Sequence, residues 1–164
     1  MKGVDRTSKV LVAYASKHGS TREVAEVICA TLQERGDRVE LRPADDVRGS
    51  IGRPDLVVLG GAIYAGGWHH DAHRFLRKHR RELSEVPLAV FGMGPRVGTE
   101  EGWQRSRGQL DQALAKRGWL TPVAVTVFGG VDPVERKGDP RRDLRDWDVI
   151  RAWAGEVAGL ASTP

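Results

Sequence analysis

Four short segments of the chain are apolar almost throughout: KVLVAYA at 9–15, DLVVLG at 55–60, PLAVF at 87–91 and PVAVTVF at 122–128. A strand with no polar face is covered on both sides, as in a parallel sheet flanked by helices. A fifth segment, RVELR at 38–42, alternates instead and reads as a short edge strand. Helical periodicity fills the intervals. Val24, Val27, Ile28 and Leu32 share one face of a helix over about 22–35, with Ser20 or Thr21 as its cap and Gly36 as its terminator. Trp68, Ala72, Phe75, Leu76, His79 and Leu83 share one face of a helix over 68–83, and Leu110 and Leu114 point inward from a helix over about 103–117 ended by Gly118. Asp143 or Asp146 caps a last helix that buries Trp147, Ile150, Trp153, Val157 and Leu160. Residues 43–54 read as a loop with one helical turn near Asp45 to Val47, and 129–142 as a charged stretch without regular structure.

Strands that alternate with helices mean right-handed crossovers and a doubly wound α/β fold. The expected architecture is a five-stranded parallel sheet in the order 2-1-3-4-5, with helices on both faces. A length of 164 residues suits one domain, 1–164, with its core over about 9–160. The single cysteine, Cys29, excludes an internal disulfide and lies beside a buried helix face, where a small apolar role suits it better than a reactive one. No apolar run approaches the roughly 20 residues of a membrane helix. The opening MKGVDRTSK has no apolar core, so no export signal is expected. A cytoplasmic location follows, with a peripheral membrane position as the alternative.

In an open parallel sheet, ligands bind beyond the carboxyl ends of the strands, where strand order reverses. Three polar or glycine-rich loops follow strands here, and the expected order makes them neighbours. The first is Ser16, Lys17, His18, Gly19, Ser20 and Thr21. Its hydroxyls and successive N–H groups at a helix start suit a phosphomonoester, although an ordinary capped turn has the same composition. It matches neither G-x-x-x-x-G-K-[ST] nor G-x-G-x-x-G, so no dinucleotide is expected. The second loop is Gly61, Ala62, Ile63, Tyr64, Ala65, Gly66 and Gly67, whose small residues admit a flat ligand and whose Tyr64, with the following Trp68, can stack on it. The third contains Gly92, Met93, Gly94, Pro95 and Arg96, and Arg96 can bring positive charge to an anionic ligand.

Taken together, the three loops resemble those of the flavodoxin family. SKHGST is similar to the T/S-x-T-G-x-T phosphate loop, with Ser16, Gly19 and Thr21 matching and His18 standing where a hydroxyl is commoner. The resemblance spans about 9–160. It implies FMN, its phosphate on Ser16 to Thr21 and its ring between Ala62 to Gly67 and Gly92 to Arg96. Within the family, LVAYASKHGSTREVAEVI, DLVVLGGAIYAGGWHHDAHRFLRKH and RDWDVIRAWAGEVA are most similar to the branch that includes menaquinone-dependent protoporphyrinogen IX dehydrogenase. The resemblance therefore implies an FMN-dependent oxidoreductase acting on a quinone or a porphyrinogen, with a place in heme biosynthesis. A one-electron carrier that docks to a redox-partner protein, or a flavin-free binding domain, is the alternative.

No catalytic side chain is expected, because the flavin carries the redox chemistry. His69 and His73 form an i, i+4 pair, but nothing at convincing spacing completes a metal site, and no metal is expected. The net charge of +4 includes a cationic stretch, Arg74, Arg77, Lys78, Arg80 and Arg81, which reads as a solvated helix face or a contact for an anionic surface. No recognition motif accompanies it, so nucleic acid is not an expected partner.

Overall fold

The computed structural model describes residues 7–16, 19–64, 67–132 and 142–161. In chain order the elements are β1 (Lys9–Ala15), α1 (Ser20–Glu34), β2 (Arg38–Pro43), a 3-10 turn (Ala44–Asp46), β3 (Leu56–Tyr64), β4 (Gly67–Trp68), α2 (His70–Lys78), α3 (Arg80–Leu83), β5 (Leu88–Met93), α4 (Glu100–Ala115), β6 (Ala124–Phe128) and α5 (Trp147–Ala158). The sheet runs β2-β1-β3-β5-β6 with every neighbour parallel, and β4 pairs with β3 antiparallel. The five parallel strands thus take the expected 2-1-3-4-5 order.

Alternate strand residues face two separate cores. Leu11, Ala13, Val57, Leu59, Leu88 and Val90 meet Phe75 and Leu76 of α2 and Leu110, Ala113 and Leu114 of α4. Val10, Val12, Leu56, Val58, Ala89 and Phe91 meet Val24, Ile28 and Leu32 of α1 and Ile150, Trp153 and Val157 of α5. Helices therefore cover both faces, which is why the strands carry no polar side. Cys29 is buried on α1, and burial, with the nearby Glu26 charge, pushes its thiol pKa up. Among the described residues no helix is long and apolar enough to cross a membrane.

The element boundaries shift where a side chain finds a backbone partner, either across the fold or within a helix cap. Trp68 does not start a helix but lies in β4, 5 % exposed, with its Nε1–H donating to the Gly61 carbonyl at 3.1 Å. A Cβ on Gly61 would stand 2.6 Å from that nitrogen, so glycine is what lets the indole lie on the strand. α2 starts two residues later, capped by His69, whose Nδ1 accepts the Asp71 N–H at 3.1 Å. It ends at His79, whose buried ring places Nε2 3.1 Å from the Val47 carbonyl oxygen, and the chain resumes as α3. α4 begins at Glu100, earlier than expected, because the Thr99 hydroxyl accepts the Gly102 N–H at 3.0 Å. It stops at Ala115, before Gly118. Gly36 does end α1: at φ +96° it donates to the Gln33 carbonyl while the Asp37 N–H reaches Leu32. Of the two aspartates considered for α5, Asp146 is the cap, its Oδ1 accepting the Asp148 and Val149 N–H groups.

Candidate functional site

The sheet register brings the three expected loops to one edge. Ala15 lies opposite Gly61, Gly61 opposite Gly92, and Gly92 opposite Val127. Beyond this row the chain leaves β1 at Ser16, β5 at Gly94 and β6 at Gly129, while β3 continues to Tyr64.

At the end of β1, the Ser16 hydroxyl accepts the Gly19 N–H at 2.9 Å. Gly19 has φ +89°, a left-handed conformation that favours glycine. It occupies the N-cap of α1, the place the sequence suggests for Ser20 or Thr21, and no side chain caps the helix. The first helical bond joins the Glu23 N–H to the Gly19 carbonyl at 3.0 Å, so the N–H groups of Ser20, Thr21 and Arg22 have no acceptor within the helix. The Thr21 hydroxyl is buried and, among the described residues, has no hydrogen-bond partner. Uncapped N–H groups, a positive helix end and an orphaned hydroxyl together form a donor set for an anion. A flavin phosphate fits that set. Lys17 and His18 lie outside the described residues.

The second expected loop is largely strand. Ala62, Ile63 and Tyr64 extend β3, and Ile63 and Tyr64 pair with Trp68 and Gly67 of β4. Ala65 and Gly66, between the two strands, lie outside the described residues. Tyr64 is 38 % exposed, with its ring edge-on to His69 at 5.9 Å. Of the two aromatics expected to face a flat ligand, Tyr64 presents a free surface and Trp68 belongs to the core.

The third segment is also tighter than its glycine content suggests. Gly92 and Met93 belong to β5, and Met93 is buried. A Cβ on Gly92 would come 2.5 Å from Ile63 Cδ1, and one on Gly94 2.4 Å from Val127 Cγ1. These glycines bring strand against strand and leave Arg96 as the exposed polar group beyond the buried Pro95. The Gly94 N–H donates to the Phe128 carbonyl at 2.7 Å, and the Gly130 N–H to Pro95 at 2.9 Å, which fixes this loop against the end of β6.

A link absent from the sequence reading joins the chain after β6 to the start of α1. Arg145, its side chain 9 % exposed, donates to Asp143 at 2.7 Å and to Glu23 at 2.8 Å, and its guanidinium lies 4.8 Å from the Trp147 ring centre. Another of its N–H groups points at the Ser20 carbonyl, 3.4 Å away. Asp143 first, then Glu23, raise its pKa above the ordinary value against the opposing effect of burial. Arg145 and Glu23 are 122 positions apart, and no local signal in the sequence marks them.

Histidines gather at the start of α2. His69, His70 and Asp71 offer three ligand atoms within 4.8 Å of one another, but His69 Nδ1 already accepts the Asp71 N–H. His73 packs edge-on against Trp68 at 5.7 Å. Burial, then the charges of Arg117, Lys116, Arg77 and His70, depress its pKa below the ordinary 6.5. The folded chain therefore takes up this proton less readily than the unfolded one. The contribution is intact above about pH 6.5 and is lost as pH falls from there through the lower folded value. His73→Gln is expected to flatten that part of the curve of melting temperature against pH. Parallel curves for the two proteins would refute the assignment.

The flavodoxin domain family model matches residues 11–133. Over a 177-position alignment the chain is 27% identical to protoporphyrinogen IX dehydrogenase [quinone] of Escherichia coli K12, covering 95% of this chain and 98% of that one. It is 29% identical to a flavodoxin of Nitratidesulfovibrio vulgaris, covering 92% and 97%. Among solved structures, a short-chain flavodoxin associated with a PDU bacterial microcompartment superposes with a TM-score of 0.66 at 20% identity, over 95% of this chain and all of that one.

Proposed function

Because the chain belongs to the flavodoxin domain family, we propose that it binds FMN at the end of β1 and works as an FMN-dependent oxidoreductase. The observation that carries this reading is the start of α1, an uncapped helix behind a left-handed glycine with the Thr21 hydroxyl orphaned in its first turn. Ser16, Ser20, Thr21 and the N–H groups of the first turn hold the phosphate, with Lys17 and His18 in the same loop. Ala62 to Gly67, with Tyr64 exposed, flank one side of the ring, and Gly92 to Arg96 the other. FMN, when bound, supplies reversible electron transfer. The protein's part is to fix the phosphate, to cover the ring and to leave one edge open. Quinone-linked oxidation of a porphyrinogen is the finer reading, supported by the Escherichia coli relative matched along nearly its whole length. The nearly as complete match to a flavodoxin supports electron transfer to a partner protein as the second reading.

Titration with FMN, riboflavin and FAD, followed by quenching of flavin fluorescence, tests the proposal. Tight FMN binding and much weaker riboflavin binding are expected, because riboflavin has no phosphate for the loop. Equal affinities would reduce the loop to a plain turn and remove the enzyme reading with it. Reoxidation of the reduced protein by a soluble quinone, without any partner protein, then separates the oxidoreductase from the carrier.

A further inference from the structure

The last turn of α2 and the end of α4 both reach the edge of the sheet where the strands begin, opposite the candidate flavin site. Between them lies a groove of about 520 Å³ lined by Arg77, Arg80, Lys116, Arg117, Gly118 and Trp119. We propose that this groove binds a phosphate-bearing anion of more than one negative charge.

Four of the six lining residues are cations and none is acidic. Among the described residues, no carboxylate pairs with any of the four. Elsewhere on the molecule arginines do find partners, as in Arg22 with Glu26, Arg107 with Asp111 and Arg151 with Asp148. A cation at a helix end is stabilised by the helix dipole, and Arg117 answers that demand by donating to the Ala113 carbonyl at 3.2 Å. It also donates to the His73 carbonyl of α2 at 3.3 Å, which holds its charge rigidly between the two helices. Arg77 in the last turn of α2 and Lys116 at the C-cap of α4 also stand at helix ends, so the dipole favours each charge singly, but it does not account for four cations converging on one groove. Arg80 lies 5.6 Å from the Trp119 ring centre, so its guanidinium is oriented at the groove wall.

Burial first, and the Arg77 charge second, lower the Arg117 pKa below its ordinary value. A bound anion relieves that repulsion. Guanidinium forks match the paired oxygens of a phosphate, and several cations in one groove favour a polyvalent anion over a single carboxylate. A second groove, lined by Arg77, Lys78, Arg80, Arg81, Ser84 and Glu85, continues the same surface. The phosphate can come from a free polyphosphorylated ligand or from an anionic lipid headgroup.

The probe is inorganic tripolyphosphate, titrated into the full chain while the Gly118 amide and the Trp119 indole N–H are followed by NMR. Saturable shifts at these two groups are expected, with the apparent Kd rising at least about tenfold as salt goes from about 0.01 M to about 0.1 M and the Debye length falls from roughly 30 to 10 Å. R77Q/K116Q should abolish the shifts, and R38Q/R151Q, which removes the same charge from elsewhere, should preserve them. An unchanged melting temperature and far-UV circular dichroism spectrum show that each variant is folded. Flotation with phosphatidylcholine–phosphatidylglycerol vesicles distinguishes the sources. Flotation lost in R77Q/K116Q assigns a lipid headgroup, and tripolyphosphate binding without flotation assigns a free ligand. Equal losses in both variants, or shifts spread over the whole basic surface, overturn the proposal.

Discussion

Thr21→Val is expected to weaken FMN binding roughly tenfold to a hundredfold while making the flavin-free protein more stable. The two effects have opposite signs because one atom causes both. The Thr21 hydroxyl is buried without a partner among the described residues, and an unsatisfied buried polar group costs about 1–3 kcal/mol. Replacing it by a methyl of similar size removes that cost, so the melting temperature should rise. A hydrogen bond to a charged group contributes about 1.5–3 kcal/mol, and the variant loses it when the phosphate is present. Riboflavin affinity should stay unchanged. Fluorescence titrations with FMN and riboflavin, beside thermal unfolding of the flavin-free chain, check all three quantities. A fall in stability, or an equal loss for riboflavin, would show that the hydroxyl serves the fold and not the ligand.

Phe91→Ala should cost about 3–5 kcal/mol, the usual range for deleting a large ring from a packed interior. Phe91 is fully buried, with its ring centre 5.5 Å from that of Phe128 and 6.0 Å from that of Trp153. Opposite it in the sheet is Gly60, where a Cβ would stand 1.9 Å from the ring. Gly60→Ala should itself cost about 3 kcal/mol, at the upper end of overpacking effects. In the double variant the new methyl has room, so the combined loss should fall well short of the sum. Denaturant midpoints for the four proteins of this cycle measure the coupling. Additive losses would contradict the packing described. Because a domain of this kind has only about 5–15 kcal/mol of stability, either single change also threatens the site built on β3 and β5.

Local signals carried the reading a long way. Apolar runs without alternation meant strands covered on both faces, and two cores on opposite sides of the sheet are what cover them. Gly36 was legible as a helix terminator because the left-handed turn it needs is a property of a few consecutive residues. The 2-1-3-4-5 strand order is what the resemblance to the flavodoxin family implies, and the alternation of RVELR agrees with its place at an edge. The convergence of three loops at one edge then followed from the order.

Other features were out of reach of pattern. Gly61 and Gly92 read as the starts of ligand-binding loops, yet each is a site where a ring or a neighbouring strand touches backbone, as is Gly60 within β3. Gly60 receives Phe91, Gly61 receives Trp68, and Gly92 receives Ile63. Composition shows that a side chain is missing there but not what fills the space. Trp68 and His79 fitted a helical period and were taken by stronger partners, a strand carbonyl for one and the Val47 carbonyl for the other.

The sequence by itself determined the class of fold and the place of the glycine turn between β1 and α1, because each depends on periodicity or on turn chemistry within a few residues. Only the tertiary structure decided that α1 begins uncapped with Thr21 orphaned, that Arg145 ties the chain after β6 to that same turn, and that Arg77 and Lys116 share one groove. Those depend on contacts between distant segments, whose distances are set by how the helices pack on the sheet.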